Sequence, residues 1–543
     1  MIKENKVNKT KFLLLLLSLA IIISVISSLC RFPKDVNSIN FENSDATYHT
    51  LLTMQAYDET EVSIHHFLPI VTLGHESDKG ISWGATIPDN YGNYYYTSFS
   101  PFGYVLPYLF CKFFSLPISF TSLYLFNSIL YFISIILIGL LLYNIFEKSQ
   151  YRIHISILSA LIYALTPEVL FSMGIVYWHQ SLMQVFLIIQ LLLFIRIIRS
   201  KKETSKRNIY LSIFFFFCLL NPYIEWTGYV ANFGYAIALI ILFRKKPLKG
   251  ILLSFFIALL TLLSFMLFSL HYLSVVSKSD YFHALYNRFM ARNTLSSSSF
   301  KKLLLGYGGS FISSFIIIIS LFIVLVILYK GFSFYKNSLI MKNKLICFVA
   351  LFPVFENIVM KQHATSYTYD RMKLAIFFAI VIADLLQMLF LMIKPIRIIK
   401  LTSVLICAVI LFISVFSYKW SKDYKVWDID YGKNNIEISN YLAKKYNLNN
   451  SLYALDKLPV RGYINLLFNR SVYEGTNLKT ISKIANNKNY RYAVEIIASS
   501  KPWNVYEINY ILTYDNQAKQ YTRICLNNGI VNEEVVVDED IFD

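Results

Sequence analysis

The sequence predicts a mainly α fold: a polytopic helical membrane protein with about eleven transmembrane helices, outer juxtamembrane helices and a small C-terminal extracytoplasmic α/β domain. Composition is the first observation behind this prediction. Hydrophobic residues make up 56% of the 543 residues and charged residues only 15%, whereas soluble domains carry about 25% charged residues. The second observation is that the apolar residues are gathered into runs of about 20, the length that a helix needs to cross a bilayer.

The net charge of +18 would suit a nucleic-acid-binding protein, but the positions of the charges favour another explanation. Most Lys and Arg clusters lie in short loops between apolar runs, as the positive-inside rule describes for membrane proteins. The six cysteines are scattered and form no CxxC pair, which argues against a disulfide framework or a structural zinc site. We therefore expect membrane lipid, and no nucleic acid, as a partner.

Loop charges orient the predicted spans. The N-terminal segment MIKENKVNKTK contains four Lys and one Glu, so we expect a cytoplasmic N-terminus and an uncleaved first helix, with a cleaved signal peptide as the alternative. The aromatic, Pro-flanked segment 101–117 is expected to lie along the outer interface, because every basic loop then falls inside. The predicted spans are 12–30, 119–146, 153–171, 179–198, 209–227, 229–243, 250–272, 308–329, 345–360, 371–393 and 400–418.

This orientation predicts a multi-pass protein of the plasma (inner) membrane with two domains. Residues 1–418 form the transmembrane domain, which includes a large outer loop at 31–118, and residues 419–543 form an extracytoplasmic soluble domain. The tail alternates polar residues with short apolar stretches such as SLYAL (451–455) and YAVEIIA (492–498). This pattern is typical of a small α/β domain.

The outer loop contains the segment SDATYHTLLTMQAYDE (44–59), which predicts a helix with polar residues on its first turn. Asp45, Tyr48 and His49 cluster there. A carboxylate in this place could take a proton from an incoming hydroxyl, as a general base does. The competing interpretation is that Asp45 caps the helix, and spacing alone favours the cap.

Weaker patterns in the same loop concern metal ions. His65-His66 and the pair His75 and Asp78 have ligand side chains but no metal-site spacing, and solvated loop histidines explain them better. Asp58 and the Glu after it could hold a divalent cation, yet a charged helix end explains them equally well. We assign no metal ligands and require no cofactor, although a divalent cation is compatible with the sequence.

Basic residues that are expected on the outer side form candidate anion sites. Arg288 and Arg292 are four apart and share one helix face, while Arg371 and Lys373 lie at the outer end of a span. Arg binds phosphate through paired hydrogen bonds and Lys acts as a point charge. Anchoring of snorkelling side chains at the interface is the alternative.

Acidic and aromatic residues gather at the expected outer ends of other spans. Carboxylates are costly in lipid and therefore indicate function. Trp beside a carboxylate suits a sugar ring, although the aromatic belt of membrane proteins explains Trp as well. The residues in this group are Glu168, Glu225, Glu356, Trp178, His179 and Trp226.

These pieces, in this order, resemble the GT-C superfamily of membrane glycosyltransferases, and most closely its bacterial branch of aminoarabinose and protein mannosyl transferases. That family has one span, a large outer loop whose first helix starts with a catalytic Asp, an aromatic interfacial helix, many further spans and often an outer soluble domain. Here SDATYHTLLTMQAYDE has the position of the catalytic helix, and residues 94–127 are similar to the Pro-anchored stretch. FENIVMKQHATSYTYDRMK (355–373) looks like the late outer turn that carries polar site residues.

The resemblance implies an inverting hexosyl or pentosyl transfer from a polyprenyl-phosphate-linked sugar to a glycan, lipid or protein acceptor. It makes Asp45 the general base. The family usually has two acids at this site, whereas Ala46 follows Asp45 here, so His49 or Asp58 could share the role.

The resemblance also implies which residues bind the substrates. Arg371, with Arg288 or Arg292, would neutralise the leaving lipid phosphate, and Lys373 joins this group. The residues assigned to the sugar or the acceptor are Tyr48, Trp178, His179, Glu225, Glu356 and His363.

Other function classes fit part of the sequence. A surface-polysaccharide polymerase or ligase also has many spans and a large outer loop, but here that loop follows the first span instead of lying late in the chain. A lipid-linked sugar transporter or flippase would need ionisable residues along a path through the membrane, and only Asp384 lies deep in a span. A structural assembly factor is the third alternative.

Overall fold

The computed structural model is mainly helical and describes most of the chain. The described residues are 2–31, 39–40, 44–74, 86–174, 176–200, 205–293, 300–329, 344–393, 395–420, 427–428, 431–460, 462–501, 505–527 and 530–536. Contacts divide the chain into two compact units. The membrane unit comprises Met1–Phe32, Tyr124–Leu270 and Phe289–Tyr424, and the loop–tail unit comprises Pro33–Leu123, His271–Arg288 and Lys425–Asp543.

Helices build the membrane unit, which confirms the predicted polytopic helical class. Among the described residues, six helices are long and apolar enough to cross a bilayer: Lys9–Leu29 (within the helix Ile2–Arg31), Phe120–Ile145, His179–Arg199, Ser205–Ile224, Pro247–Leu273 and Leu374–Ile393. The other described helices and 3₁₀ turns of this unit are Arg152–Ala164, Pro167–Ser172, Thr227–Leu242, Phe300–Ser310, Ile312–Tyr329, Lys344–Leu351, Phe352–Phe355, Glu356–Val359, Lys361–Ser366, Thr368–Arg371 and Ile396–Trp420.

Every predicted span contains helix, but some spans are short or broken. The predicted span 153–171 breaks before Pro167, because proline disfavours the helical conformation in the residue that precedes it. The predicted span 345–360 changes to a 3₁₀ turn at Pro353, which lacks the amide proton that a helix needs. The span predicted at 308–329 is a pair of helices bent by 74°.

Interhelical hydrogen bonds and close packing stabilise the membrane unit. Gln190 Nε2 donates to Asn232 Oδ1 at 3.0 Å, and Asn221 Nδ2 donates to Gln190 Oε1 at 2.8 Å. All three amides are buried. Gly139 lets the first span come close, since a Cβ at this position would lie 2.4 Å from Leu16 Cδ1. Small residues and polar bridges of this kind are typical of helix contacts in membranes.

The loop–tail unit begins with the helix Ser44–Glu59, which covers the segment where we predicted a helix. The helix Phe102–Phe113 has 12 residues and spans only about 18 Å at 1.5 Å per residue, less than the thickness of a bilayer core. Its length therefore supports an interfacial position over a transmembrane one. The remaining elements outside the tail are Ile39–Asn40, Val62–His65, Thr86–Pro88, Tyr94–Tyr96 and Lys278–Asn293.

The tail forms the predicted small α/β domain around a six-stranded sheet. The strands in spatial order are Ile530–Val536, Gln520–Asn527, Val505–Asp515, Tyr492–Lys501, Ser451–Leu455 and Val472–Glu474. The last three pair in parallel and the others antiparallel. The helices are Tyr431–Lys445, Gly462–Phe468 and Leu478–Asn487, with a 3₁₀ turn at Leu448–Asn450 and a short strand at Trp427–Asp428 that pairs with Ile39–Asn40.

The outer loop and the tail share one compact unit. Ser471 Oγ donates to the Leu73 carbonyl at 2.7 Å, and Leu73 N donates back to Ser471 Oγ at 3.0 Å. We predicted the loop at 31–118 as part of the transmembrane domain, whereas its contacts group it with the tail. The predicted boundary between residues 418 and 419 stays a prediction.

Candidate active site

The helix Ser44–Glu59 carries the first group of predicted site residues. Asp45 lies in its first turn and is half-buried, and most of the helix is buried along its length. Tyr48 and His49 follow Asp45 by three and four residues, so the three side chains share one face. The helix therefore holds a carboxylate, a phenol and an imidazole together.

Aromatic rings surround His49. Its ring lies 4.7 Å from the ring of Tyr96, edge to face, and 5.6 Å from that of Tyr104. Arg288 Nη2 donates to Tyr96 Oη at 3.3 Å. The structure thus brings the predicted phosphate ligand Arg288 to a tyrosine that also contacts the predicted catalytic helix.

Asp58 lies apart from this group. It is 13 residues after Asp45 on the same helix, about 20 Å along the helix axis. It forms an exposed ion pair with Lys112, with 2.6 Å between Nζ and Oδ1, and accepts a hydrogen bond from Tyr108 at 3.0 Å. At that distance the two carboxylates would not act on the same hydroxyl, so Asp58 stays a candidate base as an alternative to Asp45.

The neighbouring histidines have structural roles. His65 is buried, stacks on Tyr57, and accepts a hydrogen bond from Phe67 N at Nδ1, 2.8 Å away. Burial, followed by the charge of His66, lowers the pKa of His65 to about 4. His66 pairs through Nδ1 with Ser274 Oγ at 2.9 Å.

Metal-ligand patterns gain no support from the part of the chain that the structure describes. No group of three or more His, Cys, Asp and Glu side chains there is placed to hold an ion. His75 and Asp78 lie outside the described residues. We assign no chemical step to a metal ion.

The membrane unit contains a second polar cluster, centred on Asp370. Its Oδ2 lies 2.5 Å from His363 Nδ1, and its Oδ1 accepts from Gln180 Nε2 at 2.6 Å. Burial alone would raise the pKa of Asp370, but His363, Lys373 and Arg292 stabilise its carboxylate and hold the pKa below its ordinary value. Asp370 is therefore an anion that orients a histidine and a glutamine.

Lys373 joins the predicted acids of the same unit. Its Nζ forms a buried ion pair with Glu356 and also lies 3.0 Å from Thr227 Oγ1. Thr227 links the two carboxylates, because its hydroxyl donates to Glu356 at 3.1 Å and its amide donates to Glu225 at 3.0 Å. The structure brings Glu225, Glu356 and Lys373 into one network.

Arg371 is buried and engaged on several sides. Its Nε donates to Ser310 Oγ at 2.9 Å and lies 3.5 Å from Glu168, while Nη1 donates to the Ala364 carbonyl at 2.6 Å. Gly306 makes room for this guanidinium, since a Cβ there would lie 3.0 Å from Nη1. A phosphate would compete with the carboxylate of Glu168 for the same cation.

The remaining predicted residues of this unit are also buried. Trp178 and His179 pack edge to face with ring centres 4.8 Å apart, and Arg292 is 4% exposed. Sequence reasoning missed Asp370 and Gln180 as site residues. Each is the neighbour of a residue we named, so a polar side chain beside Arg371 or His179 was the available signal.

Known proteins resemble this chain in structure, whereas sequence comparison finds no match. No protein-family model matches the sequence, and no curated protein matches it. Among solved structures, the Archaeoglobus fulgidus oligosaccharyltransferase in complex with Zn and sulfate superposes with a TM-score of 0.56 at 13% identity, over 88% of this chain and 68% of that one. ArnT from Cupriavidus metallidurans, bound to undecaprenyl phosphate, superposes with a TM-score of 0.56 at 10% identity, over 93% of this chain and 98% of that one.

This chain has their fold. The resemblance to GT-C membrane glycosyltransferases is therefore confirmed at the level of the fold. It extends over nearly the whole length of both chains in the case of ArnT. A structural likeness at 10% identity shows the fold alone. The roles of individual residues depend on the contacts in this structure.

Proposed function

We propose that the protein is an integral membrane glycosyltransferase that moves a sugar from a polyprenyl-phosphate donor to an extracytoplasmic acceptor. The fold match with ArnT carries the proposal, because it spans 93% of this chain and that structure holds undecaprenyl phosphate. The apolar helices supply the membrane location. The basic loops support a plasma (inner) membrane orientation with a cytoplasmic N-terminus and the catalytic loop outside.

Asp45 is the proposed general base. In the inverting reaction the acceptor oxygen attacks the anomeric carbon, the bond from that carbon to the phosphate oxygen breaks, and the phosphate leaves with the electron pair. The hydroxyl proton passes to the Asp45 carboxylate. A base of this kind contributes about 10²- to 10⁴-fold to the rate, and His49, one turn away on the same helix face, is the proposed neighbour of the acceptor hydroxyl.

The basic residues are proposed to receive the phosphate charge. Arg288 donates to a tyrosine hydroxyl in the loop–tail unit. Arg371 and Lys373 have carboxylate partners in the membrane unit, so a phosphate bound there would exchange with Glu168 or Glu356. Arg292 belongs to the same proposal.

Other polar and aromatic residues are proposed to bind the sugar or the acceptor. Their side chains offer hydroxyl, imidazole, indole and carboxyl groups, which suit the hydroxyls and the ring face of a sugar. This group comprises Tyr48, Trp178, His179, Glu225, Glu356 and His363.

The test is sugar transfer by purified full-length protein from a panel of radiolabelled polyprenyl-phosphate sugars, in a membrane extract that contains acceptors. We expect transfer by the wild type and a loss of at least about 100-fold in Asp45→Asn. Asn has nearly the size and shape of Asp and is equally suited to a helix N-terminus, so this variant removes the carboxylate with little change in packing. Glu61→Gln, an exposed carboxylate of the same loop, is the matched control and should transfer like the wild type.

Each outcome points to a different conclusion. Equal transfer by wild type and Asp45→Asn would contradict the role of Asp45 and leave the enzyme class standing. An absence of transfer by wild type with every donor would contradict the enzyme class and favour the transporter or assembly factor.

A further inference from the structure

One segment of the C-terminal domain packs against the first turns of the helix Ser44–Glu59. Gly462 lies at its start, and a Cβ there would be 3.0 Å from both His49 N and the carbonyl carbon of Tyr48. This spacing is tighter than ordinary van der Waals contact, so a side chain at residue 462 would displace the helix backbone by a few tenths of an ångström. Glycine is the residue that allows the tail to touch this helix directly.

The next residue continues the contact with its side chain. The ring of Tyr463 lies 5.1 Å from the ring of Tyr48 at a tilt of 59°, a favourable aromatic arrangement. The Tyr463 hydroxyl accepts from Asn435 Nδ2 at 3.2 Å. Tyr48 is three residues from Asp45, so the contact is made on the face that carries the proposed base.

Asn435 connects this contact to the sheet of the C-terminal domain. The Asn435 side chain is buried, donates to the Tyr506 carbonyl at 2.7 Å and accepts from Ile508 N at 2.9 Å. Both partners belong to the strand Val505–Asp515. A buried amide with all these bonds made holds one orientation, and Tyr463 is thereby tied to a rigid element.

Two further contacts from the same tail segment reach the rest of the loop. Gln55 Nε2 donates to Asn469 Oδ1 at 3.3 Å, near the far end of the helix. Ser471 exchanges hydrogen bonds with the backbone of Leu73. The tail therefore holds the helix near both ends as well as the chain that follows it.

We propose that the C-terminal domain positions the proposed base, with Gly462, Tyr463 and Asn435 as positioning residues that act through Tyr48. The proposal rests on the proposed transferase function and gives the tail a part in that reaction. Catalytic groups must be held within a fraction of an ångström, and a misplacement of about 1 Å can cost about 100-fold in rate. A contact this close to Asp45 supplies such support.

The kinetic test compares variants of the full-length protein with the wild type. Gly462→Ala should lower kcat by roughly 3- to 10-fold with an unchanged KM for the donor, because a shift of a few tenths of an ångström is a fraction of the 1 Å case. Tyr463→Ala should lower kcat further, whereas Tyr463→Phe keeps the ring against Tyr48, loses only the hydrogen bond from Asn435 and should lower kcat less than Tyr463→Ala does. Gly308→Ala is the control, since a Cβ there meets nothing within 4 Å.

A second readout does not depend on transfer. Hydrogen exchange of the full-length protein should show faster exchange of the amides of Ser44–Glu59 in Gly462→Ala and Tyr463→Ala, a smaller increase in Tyr463→Phe, and wild-type exchange in Gly308→Ala. A double-mutant cycle of Tyr48→Ala with Tyr463→Ala should be non-additive in kcat, because the two rings form one contact.

The outcomes separate this proposal from the proposed function. Loss of kcat together with faster exchange in the helix supports the positioning role. Active wild type with unchanged kcat in Gly462→Ala and Tyr463→Ala overturns that role and leaves the transferase intact. Faster exchange without any change in kcat overturns it as well, because the helix would then move without consequence for the reaction. If the wild-type protein transfers no sugar, the proposed function is overturned, and the proposal that the tail positions a base is overturned as well.

Discussion

The buried ion pair between Lys373 and Glu356 allows a sharp prediction. Both side chains are 4% exposed, and Lys373 also donates to Thr227. Removing one partner of a buried pair leaves an uncompensated charge and costs about 3–5 kcal/mol, whereas replacing both by neutral side chains of similar size is often close to neutral. We therefore expect Lys373→Met and Glu356→Gln each to destabilise the protein strongly, and the double variant to regain more than half of the lost stability.

The assay heats detergent-purified protein and measures the monodisperse peak by size-exclusion chromatography. The temperature at which half of this peak is lost reports stability. The matched control is the pair Asp58 and Lys112, whose side chains are 37% and 49% exposed. Exposed pairs contribute only about 0–1 kcal/mol, so Asp58→Asn and Lys112→Met should shift this temperature little. The comparison isolates burial as the cause.

Two results would refute the reasoning. If Lys373→Met were as stable as the double variant, the charge left on Glu356 would carry no penalty, and the pair would not be desolvated as the structure shows. If the control pair gave losses of the same size, burial would not explain them. Because Lys373 is also a proposed phosphate ligand, the double variant should regain stability without regaining transfer, which separates folding from function.

Two further predictions concern stability. The pKa of His65 is about 4 in the folded protein against 6.5 in an ordinary environment, so the unfolded chain takes up the proton first as pH falls. The melting temperature of the wild type should therefore fall as pH drops from about 6.5 to 4, and that of His65→Gln should fall less. An equal fall in melting temperature for both proteins would contradict this reasoning. Gly228 lies against backbone, with a Cβ at this position only 2.3 Å from the carbonyl carbon of Asn221. Because backbone cannot rotate away, Gly228→Ala should lower the melting temperature by an amount that reflects overpacking of about 1–3 kcal/mol or more, while Gly309→Ala, with nothing within 4 Å, should melt like wild type.

The sequence predictions that the structure confirms rest on patterns among residues that are close in the sequence. The helix Ser44–Glu59 was predicted from a polar first turn and apolar spacing, which depend on neighbours three or four residues away. The short apolar run at Ser451–Leu455 indicated an element of the α/β domain, and the structure has a strand there. Spans containing proline were predicted less well, because the length of an apolar run does not show where a helix breaks, as at Pro167 and Pro353.

The sequence allowed individual site residues to be named as candidates, but it did not show which of them contact one another. The cost of a buried carboxylate drew attention to Glu225 and Glu356, but nothing in the sequence showed that Thr227 would connect them or that Lys373 would pair with one of them. Asp370 passed unnoticed because a single Asp beside an Arg is ordinary in a loop. Its significance comes from the burial that the surrounding helices impose.

The class of this protein follows from its sequence, because composition, apolar run length and loop charge are properties of the chain that fix its preference for lipid. The helix that carries Asp45 follows from the sequence as well, since helix formation is local. The partners of that helix depend on the folded unit: Tyr48 and Tyr463 are separated by more than 400 residues and meet through packing of the tail against the loop. Contacts at such separation depend on the shape of the whole folded unit, which no local pattern encodes.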